Sequence, residues 1–507
     1  MSEHALNSSG STRLSALRRY LWTDSAAGAL LAIVIGFLVV HMPAAPTGPL
    51  LLLTVAAPVV ALVVGNLRQV LLAVVLLDIP LQWDVNLGWR PDAVAVGAVG
   101  GISISATTFA LFGLYALWTA ERTAGRSHPL RLWPALPLVA YIAVTALSLI
   151  VADDRQLGVF QLVLLMQTLL LFLYVASHVR TRDEVVFIVV GLLAGFLLES
   201  TLMIATSALG VSFEWSGLSS HTRELVGSSA ADARAGGTIG GANGAAAYVA
   251  MLLPISIVVL WMDLSVWIKR LSLIATGFGI VALVLTYSRG GWLAAVVASL
   301  FVAIVAVRRG DVPGGKVAAA GAVVLLLLVP FHGSIEARIA GHTRGVTYSQ
   351  NARLPLIKLA WKIIQDRPIL GVGANNFAPA VSRYAGPEFS GAWLRSVHSL
   401  YFLAWAEAGF GALLALLWFL GSSLRRGWQA LVPAGPLSPL ALGLTASILS
   451  AMVTMGVERF IARPLVELLL LVAALLVAVE ALGQSTELDS TAQRTDLGAY
   501  ERGPVRS

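Results

Sequence analysis

Long apolar runs separated by short polar breaks dominate the chain. Runs near 20 residues match the length a helix needs to cross a bilayer core. They predict fourteen spans, over 26–42, 48–65, 69–83, 102–120, 134–152, 157–178, 185–208, 243–262, 270–288, 291–307, 316–332, 399–420, 438–458 and 463–483, the third of them short. The shorter alternating segments of a membrane barrel are not the pattern here. The expected fold class is therefore all-α, a polytopic helical membrane domain over 26–483. A cytoplasmic segment, 1–25, precedes it. A polar tail without periodicity, 484–507, follows and reads as disordered.

One polar interruption is long. Residues 333–398 separate the eleventh and twelfth spans. Inside it, Arg353 to Asp366 carries a helical stripe of Leu356, Ile357, Ala360, Trp361 and Ile364, with Lys358, Lys362 and Gln365 off the stripe. Such a helix either lies in the headgroup region or packs onto the spans as a lid, and the lid is the favoured reading. The following Gly371-Val372-Gly373 reads as a turn.

Composition agrees with the hydropathy pattern. Hydrophobic residues make up 57% and charged residues 12% of the 507, and the mean hydropathy is +0.82. A soluble chain of this length needs more charge to cover its surface. Cysteine is absent, which removes disulfides and thiolate chemistry. The net charge of +7 is spread over the loops, without the clustered basic face that nucleic acid requires. Arg13, Arg18 and Arg19 precede a first apolar run that no small-residue cleavage region follows, so it reads as a start anchor, not a signal peptide.

Charge also orients the spans. With the N-terminus in the cytoplasm, nineteen of the 34 Lys and Arg fall inside. Seven fall in short outer segments, and eight more lie in 333–398, a loop long enough to translocate regardless of charge. Both termini are then cytoplasmic in the cell (inner or plasma) membrane. Three of the outward-facing segments stand out: 209–242, the turn Ser288-Arg289-Gly290-Gly291, and 333–398.

These segments hold the candidate chemistry. Arg289 is open to two readings, an interfacial arginine snorkelling to headgroups or a guanidinium gripping phosphate oxygens. Arg234 lies in the glycine-rich run Asp232 to Gly244, either a flexible loop or a backbone that presents N–H groups to an anion, with Asn243 placed to cap the eighth span. His398 is a capping residue or a general base near neutral pH, with Tyr401 one turn along and Glu407 further on. Asp153-Asp154 reads as a solvated turn, not a metal site. Glu199 and Glu467 are sparse intramembrane acids.

Taken in order, these segments resemble the O-antigen ligase and O-antigen polymerase family of bacterial envelope glycan enzymes. The run Arg234 to Asn243 is similar to that family's arginine–glycine–asparagine segment before a span. Thr286 to Gly291 is similar to its serine–arginine–glycine turn. Arg353 through Trp361, Gly371-Val372-Gly373 and His398-Ser399-Leu400-Tyr401 to Glu407-Ala408-Gly409 is similar to its long outer loop and the following helix. The likeness covers about 230–420. Ser399 departs from it, since the family commonly has asparagine after the histidine.

The resemblance implies a glycosyltransferase of the cell envelope, acting in polysaccharide biosynthesis. Its donor is a glycan on a polyprenyl diphosphate such as undecaprenyl diphosphate, and its acceptor is a hydroxyl of a glycan, lipid or protein. Transfer inverts the anomeric centre, without metal or other cofactor. In that scheme His398 is the base, Arg234 and Arg289 clamp the diphosphate, Arg353 assists, and Asn243, Tyr401 and Glu407 are secondary candidates. The residue chemistry agrees, because fixed guanidinium groups can stabilise a diphosphate leaving group. A polymerase of the same family, or a transporter of lipid-linked glycans, are the competing readings. Transport predicts charged residues buried mid-span and broken helices in inverted repeats.

Overall fold

A computed structural model describes residues 66–126, 128–210, 214–215, 218–219, 222–223, 234–339, 344–386, 396–431 and 435–501. The first two expected spans and the N-terminal segment lie outside the described residues.

The twelve remaining spans each meet a helix. They are α1 (Leu67–Leu81), α3 (Ala106–Thr123), α4 (Leu136–Ser148), α5 (Arg155–His178), α6 (Arg182–Leu209), α7 (Ala242–Val259), α8 (Val266–Leu285), α9 (Arg289–Arg309), α10 (Gly314–Leu328), α14 (Leu400–Leu431), α15 (Ser438–Val457) and α16 (Arg463–Glu501). Between them lie the short α2 (Pro91–Ala95) and the loop helices α11 (His332–Ile339), α12 (Arg344–Asp366) and α13 (Phe377–Tyr384). Among the described residues, nine helices are long and apolar enough to cross a membrane. The helices α1, α3 and α4 are not among them, so the count of fourteen spans is not established.

Two local departures have clear causes. The expected fourth span begins late, because Ile102–Ser105 alternates and pairs as strand β2 with β1 (Asp84–Leu87). Ser105 then starts α3 with a capping box to Thr108. The tail expected to be disordered from Gln484 continues α16 as far as Glu501. Its Glu, Leu, Ala, Gln and Arg residues suit a helix, and no proline interrupts it before Pro504. Short two-residue strands, β3 to β6, occupy part of 214–235.

Small residues let the central helices approach closely. Ala245, Ala246, Ala247 and Ala250 of α7 are all fully buried, and α7 packs against α8, α9 and α15. Hydrogen bonds tie the helix ends into two opposite layers. At one end, Arg68 pairs with Glu121, Arg182 reaches the Asp263 carbonyl, and Arg309 reaches Leu431 and Ser438. At the other end, Gln82 reaches Thr238, Asn376 reaches Asp154, and Ser396 reaches Val96. The basic residues that the charge rule places inside gather at the first end, while Arg234, Arg289, Arg459 and Arg463 belong to the second.

The long loop is held against the bundle at this second end. α12 buries Leu356, Leu359, Ala360, Ile363 and Ile364, chiefly against α14 and α13. It is thus packed onto the spans, as the lid reading has it. The buried stripe is rotated from the expected one, leaving Trp361 44% exposed beside Trp405.

The helix α14 is broken at Gly409, whose φ of 81° and ψ of 179° suit only glycine. The break frees backbone groups that the loop takes up. Val372 and Gly373 donate to the carbonyls of Ala406 and Glu407, and Phe410 donates to Pro368. A Cβ on Gly409 would lie 1.8 Å from the Ile369 carbonyl oxygen. Gly409→Ala is expected to cost at least about 1–3 kcal/mol. The checks are thermal unfolding in detergent and faster proteolysis within 366–377. Unchanged stability and cleavage would mean that the loop is not held by this break.

Candidate active site

Three helix N-termini and one helix C-terminus meet at the second end. The turn between α8 and α9 is tight. Tyr287 adopts a left-handed φ of 47°, Thr286 Oγ1 accepts from Ser288 N at 3.2 Å, and Ser288 Oγ caps Gly291 N. Only glycines fit next. A Cβ on Gly290 would fall 2.7 Å from Val457, and one on Gly291 would fall 2.4 Å from Ala246. The turn is therefore wedged between α7 and the end of α15. Arg289 is half-buried as the first residue of α9.

Arg234 approaches this turn from the glycine-rich run. A buried acid in α6 anchors that run: Glu199 accepts from Thr238 N at 3.0 Å and from the Thr238 hydroxyl. Arg234 then spends its guanidinium on two fixed partners. Nε donates to the Thr286 carbonyl at 2.8 Å, and Nη2 donates to Asn243 Oδ1 at 2.7 Å. Asn243 is not the cap expected of it, since Gly241 holds that position. Its amide continues the chain instead, with Nδ2 donating to Glu458 Oε2 at 3.0 Å.

Glu458 leads to His398. Its other oxygen, Oε1, stands 3.5 Å from His398 Nδ1, an ion-pair distance at which no hydrogen bond is formed. The backbone fixes the approach. Leu400 N donates to the Glu458 carbonyl at 3.2 Å, and Ser396 N donates to the Val96 carbonyl at 3.1 Å. Burial pushes the Glu458 carboxyl up, but His398 and Arg459 beside it outweigh burial and hold it down at about 2. Arg459 Nε lies 3.8 Å from Glu458 Oε1, and its Nη1 donates to the Gly97 carbonyl at 2.8 Å. His398 is not on the α14 helix itself. It lies two residues before it, so the shared face expected with Tyr401 does not form.

The remaining candidates sit apart from this chain of contacts. The Tyr401 hydroxyl donates to the Met452 carbonyl at 2.9 Å, which joins α14 to α15. Glu407 is buried and accepts from Phe377 N at 3.1 Å, pinning the loop to the break in α14. Arg353 is half-buried in α12, and no contact among the described residues links it to Arg234 or His398. Of the other outer histidines, His332 is exposed at the start of α11, while His221 and His342 lie outside the described residues. Asp153 pairs with Arg383, and Asp154 caps α5 and pairs with Arg90, so both are structural.

Sequence reasoning missed Glu458 and Arg459. Glu458 follows an apolar run directly and reads there as the last residue of a span. The available signal was the adjacent opposite charges Glu458-Arg459 in the five-residue break after α15. An apolar cavity extends below the polar chain, lined by Val99, Leu400, Met455, Phe460, Ile461 and Val466 among others.

Helix N-termini favour anions, and those of α7, α9 and α14 converge here with Arg234 and Arg289 on their first turns or flanks. The fold and site define a multi-pass helical membrane protein with arginines and an imidazole gathered at one end of its bundle. Residues 271–417 match the family described as O-antigen ligase. Over that stretch the chain is similar to the O-antigen ligase family. No curated protein matches the chain. The matched region contains Arg289, Arg353, His398, Tyr401 and Glu407; Arg234, Asn243 and Glu458 lie outside it.

Proposed function

We propose that the protein transfers a glycan from a polyprenyl diphosphate carrier to an acceptor hydroxyl at the outer face of the inner or plasma membrane. The observation that carries the reading is the polar path from Arg234 through Asn243 to Glu458, joined by two hydrogen bonds, with His398 facing its end at 3.5 Å. It couples a guanidinium suited to a diphosphate with an imidazole suited to a hydroxyl proton.

The step is a single displacement. The acceptor oxygen bonds to the anomeric carbon while the bond from that carbon to the diphosphate oxygen breaks. The acceptor proton passes to His398, and the leaving group departs as the polyprenyl diphosphate anion. Attack from the opposite face inverts the centre. Arg234 and Arg289, with the helix N-termini beside them, balance the charge that builds on the leaving oxygens, which gives the chain a means of doing so without a metal ion. Arg353 is kept as an assisting cation on the lid helix. Asn243 serves as the bridge, and Tyr401 and Glu407 hold the scaffold around the site. The basic helix ends opposite the site support cytoplasmic placement of that end.

Purified protein in vesicles with a polyprenyl diphosphate glycan and a hydroxyl acceptor tests this. The expected result is transfer at equal rates in magnesium and in excess chelator. Activity that depends on added divalent metal would overturn the arginine clamp. One transferred glycan per acceptor marks a ligase, and a ladder of repeats marks a polymerase. Movement of donor across the vesicle without a new glycosidic bond would establish a transporter instead.

A further inference from the structure

We propose that Glu458 is a positioning residue for His398: it orients the imidazole through Nδ1, leaves Nε2 to face the acceptor hydroxyl, and stabilises the imidazolium once the proton has arrived. The proposal rests on the transferase reading above for its chemical purpose, but the pairing can be tested without it.

Four observations converge. First, His398 Nδ1 is buried and has no hydrogen-bond partner among the described residues, yet it lies 3.5 Å from Glu458 Oε1. Catalytic contacts of this type are often long in an empty site and close when charge develops. Second, the carboxylate cannot easily turn away. Oε2 accepts from Asn243, Oε1 accepts from Arg459 N at 3.1 Å, and the side chain is only 12% exposed. Third, the two residues are held in register by the backbone bond from Leu400 N to the Glu458 carbonyl. Fourth, Glu458 stays ionised across the physiological range, since its carboxyl is held at about 2.

An anion facing one ring nitrogen fixes the tautomer of the imidazole. With the Nδ1 proton directed at Glu458, the Nε2 lone pair is the one free to accept. The charged groups around the pair are few. Arg459 flanks Glu458 from the turn before α16, and Arg234 reaches it only through the neutral Asn243 from the start of α7.

A merely structural Glu458 would be served equally by glutamine, whose amide oxygen can accept the same bonds from Asn243 and Arg459. Glu458→Gln therefore separates the two roles. In the transfer assay, kcat is expected to fall on the order of 10²–10⁴-fold, with KM for the donor changed by less than about 3-fold. Glu458→Asp restores part of the lost rate, which a purely structural role would not require.

A second readout needs no turnover. Nitrogen-15 NMR of histidine-labelled protein, assigned with a His398→Gln control, reports the tautomer of the neutral ring. In the wild type the proton is expected on Nδ1, facing Glu458. A ring protonated on Nε2, or wild-type kcat in the Glu458→Gln variant, would overturn the proposal. A wild-type protein that transfers nothing, yet shows the Nδ1 tautomer, would sink the transferase reading and leave the pairing intact.

Discussion

His398→Ala is expected to lower kcat/KM for glycan transfer by about 10²–10⁴-fold, the usual share of a general base. The fold should survive, since His398 is half-buried in a non-helical segment and makes no hydrogen bond among the described residues through Nδ1. Donor binding should survive too, because the guanidinium of Arg234 is held by Thr286 and Asn243, not by the imidazole. The measurement is initial rate against donor concentration, alongside a thermal melt of the same preparation. A variant that folds and transfers within a few-fold of wild type would remove His398 from the chemistry. Elevated pH would then offer a further check. If the imidazole only takes a proton, a more basic medium should recover part of the lost rate in the alanine variant.

Arg463→Met is expected to be the most damaging change to the scaffold. Arg463 is 5% exposed in its side chain and faces three acids: Asp78 at 2.9 Å, Asp84 at 3.1 Å and Glu467 at 3.2 Å. Asp78 is itself fixed, accepting from Trp83 N and Thr107 N. Removing the one cation leaves carboxylates buried without compensation, a situation that costs about 3–5 kcal/mol. The loss should appear as a large drop in the denaturant midpoint in detergent. A paired change that also neutralises an acid, Arg463→Met with Asp78→Asn, should recover part of it. If the single variant were as stable as wild type, the cluster would not be holding α1, the β1–β2 hairpin and α16 together.

Much of the helical scaffold was legible because bilayer length imposes a strong period on the sequence, and α5 to α9 and α15 follow the apolar runs within a few residues. The exceptions arise where tertiary partners override hydropathy. Ile102–Ser105 pairs as a strand because Asp84–Leu87 is there to receive it. Glu407 and Gly409 belong to a helix that stops and restarts, which no local pattern reveals, because the partner for the freed backbone lies more than thirty residues earlier in the chain.

The candidate site was legible in its motif residues and illegible in its connections. Arg234, Arg289 and His398 stand out through glycine neighbours or a span boundary. Asn243 was read as a cap because its position after a glycine run suits one, and only the fold reveals a bridge between two charged side chains. Glu458 carried no motif at all. Its meaning comes from a residue sixty positions away that shares its corner of the bundle.

The path from Arg234 to His398 has a practical corollary for exchanging parts between relatives. A cassette cut at 271 and 417 would import an imidazole while leaving behind the amide and carboxylate that touch its surroundings. The smallest transplantable unit is therefore set by side-chain wiring and reaches from before Arg234 to beyond Arg459, with α7 and α15 travelling together as its two walls.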